Sequence, residues 1–90
     1  MTQVVFKRAG GAAVTFVVRL EKKTLKFDGQ GQAIVQVKSG SYYGLSWFVS
    51  GPANAPWSLE LAAPAAVKFN IAKSLPPDGK DNNSEWLFIP

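Results

Sequence analysis

The chain contains no cysteine and no histidine. Without thiols there is no disulfide framework and no thiolate nucleophile, and that absence fits any compartment. Without imidazole the chain lacks the side chain most used for proton transfer near neutral pH, and also the commonest metal ligand. Acids are scarce, with six Asp and Glu against ten Lys and Arg, so the formal charge is +4. No apolar run approaches the roughly 20 residues a membrane-spanning helix needs, so no membrane span is expected. The pattern of a cleaved signal is also missing. Lys7 and Arg8 follow the first apolar residues, and the later apolar run alternates instead of being continuous. The default expectation is a cytoplasmic protein, although a secreted form whose signal has been removed is compatible with the same residues.

These absences bear on catalysis. No GxSxG elbow is present, and Ser–Lys neighbours such as Lys38-Ser39 and Lys73-Ser74 point apart when they lie on a strand. Glycoside-type chemistry needs two carboxylates converging across a cleft. Of Glu21, Asp28, Glu60, Asp78, Asp81 and Glu85, five fall in turns or at strand ends, and Glu60 faces outward. No catalytic residue is assigned, and the expectation is a protein that is not an enzyme.

What the chain does have is a two-residue apolar rhythm. It is clearest in Tyr42 to Leu61, where Tyr43, Leu45, Trp47 and Val49 share one face, opposed by Tyr42, Gly44, Ser46, Phe48 and Ser50. After the Pro-bracketed loop Gly51–Pro56, residues Trp57, Leu59 and Leu61 share a face again, and the two runs read as a hairpin. A period of two is that of a pleated strand with one side buried. The same alternation predicts strands over Thr2–Arg8, Ala12–Leu20, Thr24–Asp28, Gln32–Lys38, Ala66–Ile71 and Ser84–Ile89, with Gly10-Gly11 as a tight hairpin turn. A helix over Leu59–Val67 would hold Pro64 in its interior at a cost of about 3 kcal/mol, and no helix is expected. Ala72–Asn83 is the longest irregular stretch and the expected crossing between sheets, a Greek-key-type return.

Ninety residues make one domain, and 47% apolar content argues against disorder. The predicted fold is all-β: a small antiparallel β-sandwich of seven to eight strands, immunoglobulin-like or jelly-roll-like. A Tyr/Trp strand, a Gly-Pro loop and a second Trp strand together resemble small immunoglobulin-like or carbohydrate-binding β-sandwiches. The Cys–Trp–Cys core of antibody domains is missing, so no family residue is carried over.

Two constellations could carry a function. The first is aromatic. Tyr42, Phe48, Trp86 and Phe88 lie opposite the inward register, with amides at Gln32, Gln36 and Asn70 expected nearby and Asn54 offered by the Gly51–Pro56 loop. Exposed planar rings beside amides suit a sugar-stacking or peptide-docking surface. The second is Asp78–Glu85, whose Asp78, Asp81, Asn83 and Glu85 have the oxygen density of a Ca²⁺ loop, although the EF-hand spacing is absent. In the last strand, Trp86 and Phe88 oppose Leu87 and Ile89, so both faces are apolar and either could be the buried one.

The expected function is therefore a non-catalytic binding module for a carbohydrate or protein partner, using exposed aromatics and loops. The alternative is an assembly protein forming a homo-oligomer through the C-terminal strand or Ile34. The only local basic cluster, Lys22-Lys23-x-x-Lys26, reads as a solvated turn. Polyanion binding through Lys7, Arg8, Lys22, Lys23 and Lys26 trails behind, and nucleic acid is disfavoured.

Overall fold

The apolar rhythm closes into eight strands, described for all residues Met1–Pro90 by a computed structural model. Strands β1 (Thr2–Gly10), β4 (Gln32–Val37), β6 (Pro56–Ala63) and β7 (Asn70–Ser74) form one sheet in the order β4-β1-β6-β7. The other sheet contains β2 (Thr15–Leu20), β3 (Lys23–Thr24), β5 (Ser41–Ser50) and β8 (Lys80–Ile89), in the order β3-β2-β5-β8. All neighbouring strands are antiparallel, and there is no helix. The expected all-β sandwich is what the chain builds.

Inward residues alternate as the sequence pattern requires. Val4 and Phe6 of β1, Val35 and Val37 of β4, and Trp57, Leu59 and Leu61 of β6 come from one sheet. Val18, Leu20, Leu45, Trp47, Val49, Leu87 and Ile89 come from the other. Every one of the buried residues other than a turn glycine is apolar, which is the inexpensive way to fill a small core. Trp47 packs on Phe69 at 5.6 Å between ring centroids, and Trp57 meets Phe16 edge-on at 6.0 Å. The Trp57 Nε1–H is buried without a hydrogen-bond partner.

The connections differ from the sequence reading. β1 and β2 lie in different sheets, so Gly10-Gly11 begins a crossing and not a tight hairpin; β5 and β6 are likewise in different sheets. Only β2–β3 and β6–β7 are hairpins, leaving five of the seven connections as inter-sheet crossings. A long loop is not required, because stacked sheets are only about 10 Å apart and three extended residues span that distance. Lys38–Gly40 does so between β4 and β5. There the Tyr43 hydroxyl accepts the Lys38 N–H at 2.8 Å and donates to the Lys38 carbonyl at 3.1 Å.

Three strand limits also move. Thr24–Asp28 contributes only the two-residue β3, although Leu25 and Phe27 still turn inward. Val67 and Phe69 are buried from a non-strand segment, while β7 occupies Asn70–Ser74. β8 starts at Lys80, inside the stretch read as a loop, because Asp81, Asn82 and Asn83 pair with Val49, Phe48 and Trp47 of β5. The β7–β8 turn depends on Gly79, whose φ of +70° favours glycine and whose position leaves no room for a Cβ beside the Gly51 carbonyl.

Arg8 also changes role. It is in phase with Val4 and Phe6, and its guanidinium lies 5.2 Å and 5.3 Å from the ring centroids of Phe16 and Phe27. A half-buried cation stacked on two rings closes the end of the core. It does not belong to a surface cluster with Lys22 and Lys23, which lie on the other sheet beyond β2.

Candidate functional site

The outer face of β3-β2-β5-β8 carries four of the five exposed apolar side chains that lie within strands and are aromatic or β-branched beyond valine. They are Tyr42 (67% exposed), Phe48 (39%), Trp86 (70%) and Phe88 (45%), and Ile34 of the other sheet is the fifth. The antiparallel register of β5 and β8 places the four rings together. Tyr42 is opposite Phe88, Gly44 opposite Trp86, Ser46 opposite Ser84, and Phe48 opposite Asn82. From β2, Arg19 extends the Ser46–Ser84 row and Val17 the Phe48–Asn82 row. Rows two residues apart lie about 7 Å from one another, so Trp86 and Phe48 stand about 13 Å apart along the strands.

The rows differ in chemistry. At one end Tyr42 and Phe88 are in tilted contact, with centroids 5.0 Å apart. Next, the six-membered ring of Trp86 covers Gly44. A Cβ at Gly44 would lie 3.4–3.8 Å from three adjacent carbons of that ring, in ordinary contact, so the indole sits directly over this backbone position. Glu21 supports this row from beyond the end of β2: its N–H donates to the Gly44 carbonyl at 2.7 Å, and its Oε1 accepts the Gly44 N–H at 3.0 Å. Beyond Trp86 lies a polar trough of about 420 Å³, lined by Arg19, Ser46 and Ser84 and bounded by Val17, Phe48 and Asn82. A smaller recess of about 260 Å³ continues beside Trp86, past Glu21 and Ser84. The face thus alternates ring platforms with hydroxyl, amide and guanidinium groups.

A larger depression of about 720 Å³ lies on the outer side of the opposite sheet, over Ala9, Ser58, Ala72 and Ser74. It offers small side chains, Pro56, the edge of the buried Trp57, the backbone and one charge, Lys73, and it holds no exposed aromatic side chain. Recognition needs directional groups, so volume alone does not outweigh the chemistry of the aromatic face.

Four of the five binding residues expected from sequence share that face. Asn54 does not. It sits in the β5–β6 crossing at the end of the sandwich, with φ +65° and its N–H bonded to the Leu75 carbonyl at 2.9 Å. The amides of Gln32, Gln36 and Asn70 are also elsewhere, on β4 and β7 of the other sheet. The amide beside the rings is Asn82. Arg19, Ser46, Ser84 and Gly44 join the site through the alternation itself, since each shares strand parity with Val17, Tyr42, Phe48 or Trp86.

The oxygen-rich stretch is not gathered into a cage. Asp81, Asn83 and Glu85 follow one another on one face of β8, about 7 Å apart, because a strand spreads alternate residues. Asp78 lies in the preceding turn, where its Oδ1 accepts the Lys80 N–H at 3.1 Å. No group of three or more acidic side chains converges there or elsewhere. Asp28 behaves similarly in the β3–β4 connection: its Oδ1 accepts the N–H groups of Gln32 and Gln30, and these bonds hold its carboxyl below the usual carboxylate range.

Comparison with protein-family models, curated proteins and solved structures finds no match to this chain, so the site is read from its own geometry.

Proposed function

We propose that this chain is a non-catalytic binding module that takes a carbohydrate on the outer face of β3-β2-β5-β8. The observation that carries the reading is the placement of Tyr42, Phe48, Trp86 and Phe88 on one sheet face, with a polar row set between the rings. A sugar ring has an apolar face and a rim of hydroxyls, and it needs both kinds of surface at short intervals. Trp86 over Gly44, followed by Arg19, Ser46, Ser84 and Asn82, supplies that alternation. A protein-docking patch depends instead on a contiguous apolar centre, which the trough interrupts.

The test is a panel of oligosaccharides titrated by calorimetry and by indole fluorescence. Trp86 is the one exposed indole, so a ligand on this face changes the emission of that residue. Trp86→Ala and Phe48→Ala are expected to weaken binding roughly tenfold each, while Ile34→Ala on the opposite sheet leaves it unchanged. Failure of every oligosaccharide to bind overturns the proposal. So does a concentration-dependent dimer that Trp86→Ala abolishes, because it would assign the face to a second copy through β8, the ten-residue edge strand.

A further inference from the structure

The charges carried by the outward strand positions of this face are both positive, while carboxylates gather only at the recess beside Trp86. Its outward positions are Thr15, Val17 and Arg19 on β2, the even residues Tyr42 to Ser50 on β5, and the even residues Lys80 to Phe88 on β8. The only charged side chains among them are Arg19 and Lys80. Asp81 and Glu85 have the opposite parity on β8; the Glu21 and Glu85 carboxylates line the recess beside Trp86, on the side of Arg19 away from Lys80, so acidic units are directed from Arg19 toward Lys80. Arg19 has no acidic neighbour across the sheet, because its partners are Thr24 on β3 and Ser46 on β5. The other arginine, Arg8, is stacked on Phe16 and Phe27, so the two guanidinium groups have different environments.

Arg19 also stands in a particular place. It lies in the row between Trp86 and Phe48, and Lys80 lies one row beyond Phe48. Along the strands the order is therefore ring, ring, cation, ring, cation, at intervals of about 7 Å. A guanidinium free of internal partners presents a planar fork matched to a carboxylate or sulfate. Between two ring platforms it meets a substituent on a sugar whose neighbours are stacked on either side.

We infer that the preferred ligand is a linear acidic glycan lying parallel to β5, with its carboxylate or sulfate on Arg19 and the next acidic unit toward Lys80. This rests on the carbohydrate reading above, and the experiment separates the two. Three oligosaccharides of equal length are titrated at low and at physiological salt: a neutral one, a uronate one and a sulfated one. The acidic pair are expected to bind at least roughly tenfold more tightly than the neutral one, and to weaken as salt rises. Whichever of the two binds more tightly identifies the anionic group. Arg19→Gln should remove that preference, weakening the acidic chains at least roughly tenfold and the neutral one by clearly less. Lys7→Gln/Lys73→Gln, which lowers the net charge further but lies on β1 and β7 of the other sheet, should leave the preference intact. If neutral and acidic chains bind equally, or if the Lys7/Lys73 variant loses as much as Arg19→Gln, the acidic inference falls and the carbohydrate reading stands. If none of the three binds, both fall.

Discussion

Replacing Trp47 and Trp86 separately by alanine should produce two very different proteins, because the same side chain has opposite surroundings on adjacent strands. Trp47 is 6% exposed and packs on Phe69; Trp86 is 70% exposed and covers Gly44. A buried indole removes on the order of 200 Å² from water, which at about 25 cal/mol per Å² is about 5 kcal/mol as an upper bound. Measured aromatic-to-alanine losses in cores are about 3–5 kcal/mol, and about 4 is expected for Trp47. Trp86 buries under a third as much, so about 1.5 kcal/mol is its ceiling. A domain of 90 residues has a total stability of only roughly 5–13 kcal/mol. Trp47→Ala therefore removes a large share of it, and Trp86→Ala leaves a folded protein. Urea unfolding followed by circular dichroism measures both. Acrylamide quenching provides an independent check, since Trp86→Ala should remove the quenchable emission and leave the shielded fraction from Trp47 and Trp57. Equal losses in the two variants, or a larger loss at Trp86, would refute the assignment of Trp86 to the outer face.

Three further outcomes follow from the connections. Tyr43→Phe removes the hydroxyl that holds both backbone groups of Lys38 and should cost about 1 kcal/mol, or about 4–8 °C in melting temperature; Tyr42→Phe, which loses no such bond, should cost less than half as much. Gly79→Ala must adopt a left-handed backbone against the Gly51 carbonyl and should cost about 2 kcal/mol or more by thermal melting, whereas Gly29→Ala, in open space, should be near neutral. Asp28 has its folded pKa depressed chiefly by the Gln32 N–H and then by that of Gln30, so its contribution is present above the ordinary value of about 4 and is lost as pH falls through the depressed one. The urea midpoint of the parent should therefore exceed that of Asp28→Asn at pH 6, with the gap closing below about pH 4; a gap independent of pH would refute it.

The faces were legible from residue order alone, since alternation sorts Trp47 from Phe48 and Trp57 from Ser58 without any knowledge of partners. The connections were not. Gly10-Gly11 reads as a turn, and a turn residue reports local backbone freedom, not which sheet receives the next strand. Short crossings such as Lys38–Gly40 have the length of hairpin loops because the gap between sheets is short. Arg8 was misplaced for a different reason: its charge suggested solvent, while its parity with Val4 and Phe6 pointed to the core, and its methylene stem and two facing rings made the parity decisive.

The limits of β8 connect fold and function most closely. Lys80–Ser84 has the composition of a loop, rich in Asn and Asp and poor in β-branched residues, and alone it would have little reason to extend. Its backbone instead pairs with Phe48, Trp47 and Ser46 of β5, whose inner face is anchored in the core, and that pairing overrides local preference. The strand then carries polar side chains over its first half and aromatic ones over its second. The same register that seats Leu87 and Ile89 in the core sets Asn82 beside Phe48, Ser84 beside Ser46 and Trp86 over Gly44. Polar residues are the ordinary occupants of a solvated sheet face; under the carbohydrate reading proposed above, Asn82 and Ser84 supply hydrogen-bonding groups at fixed spacing between the exposed rings, at some cost in local strand propensity.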